Sequence, residues 1–216
     1  MHSILIDPHL RWPLLLLAFS GLIGCDMEFD DSAIVHQVQA SGMTRVTYMA
    51  SNIRPNAEAK ARLAREGKTV ASWFKEREEK FCKDIDPEGM KVEACGYSPL
   101  PELLGRLISQ APSKPGQKDG LVVMKSQSRA KAAAFFCDGM EKGGCSFVVK
   151  PNTFVAKGTV KNMSAEAGCT YAIQSPYPIL STNADIVMHR YQTALWGCHE
   201  ERLKGSKLRV ELVAGK

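Results

Sequence analysis

The sequence predicts an α+β fold: an antiparallel sheet packed against two or three helices and stapled by disulfides. Three observations predict it. Helical apolar patterning dominates the first half of the chain, short β-branched runs between turn residues dominate the second, and six cysteines beyond residue 80 allow three bridges. At 216 residues, 44% hydrophobic and 24% charged, the chain can bury one real core. A single domain over 33–216 is expected, helix-rich over 33–111 and strand-rich over 121–216.

Residues 25–32 begin acidic (DMEFDD, 26–31) and read as a tether. AIVHQV (33–38) and TRVTYMA (44–50) are rich in β-branched residues and flank Ser41-Gly42, so they predict a hairpin. Asn56 to Asp84 reads as helix, with Asn56 as its cap after Pro55. Leu63, Val70, Phe74 and Phe81 form one stripe, and Gly67 divides the segment into two helices. The run KEREEK is a solvated helix face. MKVEACGY (90–97) predicts a short strand. Ser98-Pro99 then opens another helix, in which Leu100, Leu103, Leu104, Leu107, Ile108 and Ala111 share one face until Pro112 stops it. PSKPGQKDG (112–120) is a loop.

Beyond it, LVVMK, AAAFFC, CSFVVK, TFVAKGTV and CTYAIQ read as strands, with Pro151-Asn152 a tight turn. In TNADIVMHRYQTALWGC the spacing of Val187, Tyr191, Ala194, Leu195 and Cys198 predicts a helix capped by Thr182 or Asn183. Strand alternation fits nearly as well. KLRVELV (207–213) alternates cleanly and should be a closing strand.

Trp12 to Ile23 carries no charge, follows Arg11 and ends among the small residues Ser20, Gly21 and Gly24. It is shorter than the about 20 apolar residues a spanning helix needs. A basic flank, a short apolar stretch and small residues at a cut are the layout of a secretory signal. Leu22-Ile23-Gly24-Cys25 resembles the lipobox of bacterial lipoproteins. The resemblance covers only the first 25 residues. It implies removal of residues 1–24, a diacylglyceryl thioether on Cys25 and a membrane partner reached through that lipid. Two or three acyl chains hold a protein firmly, whereas one holds it marginally. Asp26 in that family favours the inner membrane, with the domain on its periplasmic side.

With Cys25 lipidated, Cys82, Cys95, Cys137, Cys145, Cys169 and Cys198 remain. An even count in an exported domain suggests three disulfides, among 15 possible connectivities. Pairing neighbours in order ranks first. Cys137 and Cys145 flank the turn-rich DGMEKGG, a bridge across a hairpin. Cys82 and Cys95 close a loop of about 14 residues, contributing about 3 kcal/mol in the chain-entropy picture. Cys169 is left with Cys198. No cysteine pair has C-x-x-C spacing and no His stands at ligand spacing, so neither a metal nor another cofactor is expected.

The net charge of +5 is mild and mixed in sign along the chain, which argues against a nucleic-acid partner. His36, His189 and His199 remain after cleavage. On a helix His189 would share a face with Asp185, an arrangement that orients an imidazole for general-base work. His199 in CHEER lacks the second His of a zinc-protease helix. Asp30-Asp31 lie in the tether and Glu200-Glu201 beside an expected bridge, neither a glycosidase pair. There is no nucleophile elbow, phosphate loop or dinucleotide fingerprint. Trp73, Phe74, Phe135, Phe136, Tyr171, Tyr177 and Trp196 are expected in the core. SPYPIL (175–180) is a candidate contact loop.

The leading expectation is a non-catalytic binding lipoprotein that recognises an envelope protein or component. The alternatives are an immunity or inhibitor lipoprotein against a toxin, and an envelope hydrolase using His189 and Asp185.

Overall fold

A computed structural model describes residues 27–85, 88–97, 115–160, 168–197 and 208–216. The fold is α+β, with antiparallel sheets packed against three helices and two disulfides joining named pairs. Strands are β1 (Met27–Glu28), β2 (Asp31–Val38), β3 (Thr44–Pro55), β4 (Met90–Gly96), β5 (Lys118–Ser126), β6 (Ser146–Lys150), β7 (Thr153–Thr159), β8 (Gly168–Gln174), β9 (Ile179–Thr182), β10 (Ile186–Met188), β11 (Thr193–Gly197) and β12 (Arg209–Gly215). Helices are α1 (Ala57–Arg65), α2 (Val70–Asp84) and α3 (Arg129–Asp138).

The large sheet runs β10-β11-β8-β2-β3-β5-β4, with β1 pairing β3. All its pairings are antiparallel except β2 with β8, where Asp31 to Gln37 run parallel to Gly168 to Gln174. The small sheet runs β6-β7-β12-β9. Its inner face carries Phe147, Val149, Phe154, Ala156, Val210, Leu212 and Ala214. These pack with Phe136 of α3 against Tyr171, Ile173 and Trp196 of the large sheet.

The β2–β3 hairpin forms where expected. Its turn closes through Gly42 N–H donating to the Gln39 carbonyl at 2.8 Å, with Gly42 at φ 85°. The helical segment divides at Gly67 (φ 64°), and Lys68 N–H returns to the Leu63 carbonyl at 2.9 Å. Asn56 accepts from Ala59 N–H at 2.8 Å and caps α1; Thr69 and Ser72 form a capping box on α2. Leu63, Trp73 and Phe74 bury against Ala50 and Ile53 of β3. The β6–β7 turn uses Asn152 in the left-handed region (φ 66°), which asparagine tolerates.

The structure corrects four expectations. AAAFFC is not a strand: it lies in α3, where Ser128 caps by accepting from Lys131 N–H at 3.1 Å. Alanine is the best helix former, and with both phenylalanines buried the segment lacks the polar face that would have revealed it. The segment after Thr182 is not a helix: β10 and β11 pair as a hairpin around a single 3-10 turn at His189–Tyr191. Asn183 caps no helix. Its side-chain oxygen accepts from Trp196 Nε1 at 2.8 Å on the large sheet and Glu211 N–H at 2.9 Å on the small one, tying the sheets together. The tether expected over 25–32 is sheet from Met27: β1 pairs β3, and Asp31-Ser32 open β2. Finally, the first half supplies β1 to β4 as well as two helices, so strands and helices do not segregate by half.

The helix expected over 98–111 and the N-terminal signal lie outside the described residues.

Candidate functional site

Side chains on one face of a strand recur every second residue, so Ile34, His36 and Val38 of β2 share a face. That face meets Tyr48 of β3, Tyr171 of β8 and the end of α3. Ile34, His36, Tyr48, Phe135, Phe136, Gly139, Met140, Val160 and Tyr171 surround a cavity of about 30 Å³. A space of that size takes about two water molecules and no drug-sized ligand.

His36 is 4% exposed. Its Nε2 lies 3.0 Å from the Tyr171 hydroxyl, and its ring meets Phe136 edge-on at 5.5 Å. Nδ1 has no hydrogen-bond partner among the described residues. Burial pushes the imidazole pKa down from 6.5 to about 3, because the charged form would be desolvated. Burial likewise pushes the phenols of Tyr48 and Tyr171 up, so both stay protonated. The cavity thus holds a neutral imidazole and neutral phenols, with no carboxylate in its lining. Such an imidazole lacks the acidic partner that would orient and stabilise it as a general base. It acts as a polar anchor in the apolar layer. Sequence inspection noticed His36 without assigning it a place; the signal was its alternation with Ile34 and Val38.

His189 and Asp185 do not share a helix face. Asp185 precedes β10 and His189 follows it, both exposed. At about 3.3 Å per strand residue their backbones stand roughly 13 Å apart. The Asp185 carboxylate accepts from Gly197 N–H at 2.8 Å and Asp185 N–H donates to the Leu195 carbonyl at 2.9 Å, so the residue closes the β10–β11 hairpin. Among the described residues no group of three His, Cys, Asp or Glu side chains is placed to hold a metal.

Cys82 joins Cys95, fixing the end of α2 to β4, with Cα atoms 5.7 Å apart. Cys137 joins Cys145 at 5.5 Å. That bridge spans from the last turn of α3 to the start of β6, not across a hairpin of two strands. It brackets Gly139 and Met140, which line the cavity. At the other end of α3, the Arg129 guanidinium donates to the Val149 carbonyl. Cys169 is also disulfide-bonded. Cys198, its expected partner, and Cys25 lie outside the described residues, as do His199 and Glu200-Glu201.

The acidic start of the chain has a local role. Arg54 of β3 meets Asp30 at 2.6 Å and Glu28 at 3.1 Å, while Asn52 Nδ2 donates to Asp30 at 2.9 Å. In SPYPIL, Tyr177 is buried and donates to the Lys150 carbonyl at 3.3 Å, whereas Leu180 is 67% exposed.

Fold and site together define a two-sheet α+β domain with structural disulfides and a small apolar cavity. Among solved structures the chain is similar to the NMR structure of the folded domain of the Mycobacterium tuberculosis LppM protein. The identity is 13% over 88% of this chain and 91% of that one, with a TM-score of 0.44. No protein-family model and no curated protein matches it.

Proposed function

We propose that this chain is a lipid-anchored lipoprotein of the bacterial envelope. Its domain, 27–216, is a non-catalytic binding module for an envelope protein or component on the periplasmic side. The observation that carries this reading is the placement of Leu22-Ile23-Gly24-Cys25 immediately ahead of the first strand. β1 begins at Met27 and is pinned to Pro55 and Arg54 of β3, so only Asp26 separates the candidate lipidated residue from the sheet. Two residues of extended chain reach about 7 Å. A lipid on Cys25 would therefore hold the domain against the bilayer surface, and its partner would be met there. Disulfides of the kind seen here persist in oxidising compartments, which suits the periplasm.

Intact mass spectrometry of the protein extracted from bacterial membranes, with and without reduction, tests this. The expected species begins at an acylated Cys25 and gains two hydrogens per bridge on reduction. Cys25→Ser should release the protein from the membrane. A species that keeps residues 1–24 and carries no lipid overturns the reading. Crosslinking in intact cells then identifies the partner.

A further inference from the structure

Lys91, Lys125 and Arg45 stand side by side in one transverse row of the large sheet: Lys91 pairs Lys125, and Lys125 pairs Arg45. Directly paired residues point to one face, so the three cations project together at the strand spacing of about 4.8 Å. All three are exposed. Like charges set directly opposite each other cost a sheet stability. Arg45 is compensated: Glu93, the extra residue at the β4 bulge, reaches across β5 to its guanidinium at 2.6 Å. Lys91 and Lys125 have no carboxylate partner among the described residues. Beyond Arg45 the row continues through Gln37 and Gln174, whose side-chain amides bond each other at 3.0 Å.

The row marks one end of the sheet, and the start of the chain marks the other. Met27 pairs Pro55, at the opposite end of β3 from Arg45. At about 3.3 Å per residue the two ends stand about 30 Å apart. The end near Met27 carries Glu28, Asp30 and Asp31, so the sheet is acidic there and basic at the row.

We propose that this basic row is where the domain docks an acidic protein surface, with Lys91 and Lys125 supplying the two uncompensated charges. The orientation rests on the lipoprotein reading above. An anchor on Cys25 puts the acidic end at the bilayer and the row about 30 Å out, well past a Debye length of about 8 Å. The row therefore does not sense the headgroups of its own membrane. Charges drawn out in a line across a sheet enclose no free ion; they suit carboxylates spread over a macromolecular surface. Lysine carries a compact charge on a flexible stem, so each of the two can meet a separate carboxylate. Complementary charges of this kind select the partner and speed its approach.

The processed full chain, held in phosphatidylcholine nanodiscs, is titrated with fluorescent poly-L-glutamate. Intact mass of the same sample records whether residues 1–24 are gone, so failure of the lipoprotein reading is seen separately from failure of docking. Binding is expected to weaken steeply with salt. The Lys91→Glu, Lys125→Glu double variant should weaken it about tenfold or more. Glu93→Gln frees Arg45 and should tighten it about threefold. Lys60→Glu, Lys75→Glu, on α1 and α2, makes the same change in net charge and should leave affinity within about twofold. An equal loss in that control overturns the proposal, because net charge alone then explains the binding. Absence of binding, or no loss in the Lys91, Lys125 variant, overturns it as well. So does lysine-dependent binding of polyphosphate tighter than that of polyglutamate, or self-association of the Cys25→Ser protein through those lysines.

Discussion

His36 Nε2 sits 3.0 Å from the Tyr171 hydroxyl across the parallel β2–β8 pairing, two buried polar groups facing each other in an apolar layer. The imidazole titrates at about 3 in the folded protein and near 6.5 when unfolded. Below 6.5 the unfolded chain therefore binds a proton that the folded chain refuses. Stability from this site is complete above about pH 6.5 and falls as pH drops toward 3. At pH 4.5 the loss is about 2–3 kcal/mol, from ~1.4 kcal/mol per pH unit. His36→Gln keeps a hydrogen-bonding side chain without the titration, so urea denaturation from pH 7 to 4.5 should show a flatter acid limb than wild type. Equal slopes would place the acid loss elsewhere.

Gly158 of β7 leaves no room for a side chain: an added Cβ would lie 2.7 Å from Met140 Cγ and 2.9 Å from its sulfur. Met140 itself is buried and lines the cavity. Gly158→Ala should destabilise by about 1–3 kcal/mol through overpacking, read as a lower urea midpoint at unchanged slope.

The Cys137–Cys145 bridge closes a short loop, with a sequence separation of 8. The chain-entropy picture gives it about 2–3 kcal/mol. The Cys137→Ser, Cys145→Ser double variant should lose that much. Hydrogen exchange at Gly139 and Met140 should rise first, because the bridge brackets them.

Much of this architecture is legible from local pattern, and its failures have physical causes. Asn56, Gly67, Ser41-Gly42 and Pro151-Asn152 punctuate the chain by their own backbone preferences, so the elements they bound are readable. Arg129–Asp138 is not, because two buried phenylalanines and a run of alanines mask both periodicities. Residues 186–197 carry helical and strand spacing at once; pairing with β8 decides between them. The cavity draws on residues from 34 to 171 and on a parallel pairing, neither of which any local window contains.

Asp185 and His189 should behave as independent sites. Asp185→Ala removes the acceptor for Gly197 N–H and should cost about 1 kcal/mol. His189→Ala, on the exposed turn, should stay within about 0.5 kcal/mol. The double variant should be additive in thermal unfolding. A coupling above about 0.5 kcal/mol would restore the pair as a unit.

β12 follows β7 and β9 in sequence and lies between them inside the small sheet. Synthesis starts at the other end. Until Arg209–Gly215 appear, the nascent chain holds β7 and β9 with an empty slot between them, and Phe147, Phe154 and Trp196 lack the layer formed by Val210 and Leu212. Emergence of residues 209–215 is thus itself the trigger for closure of the small sheet. A chain stopped ahead of them lacks an interior strand, not a dispensable edge.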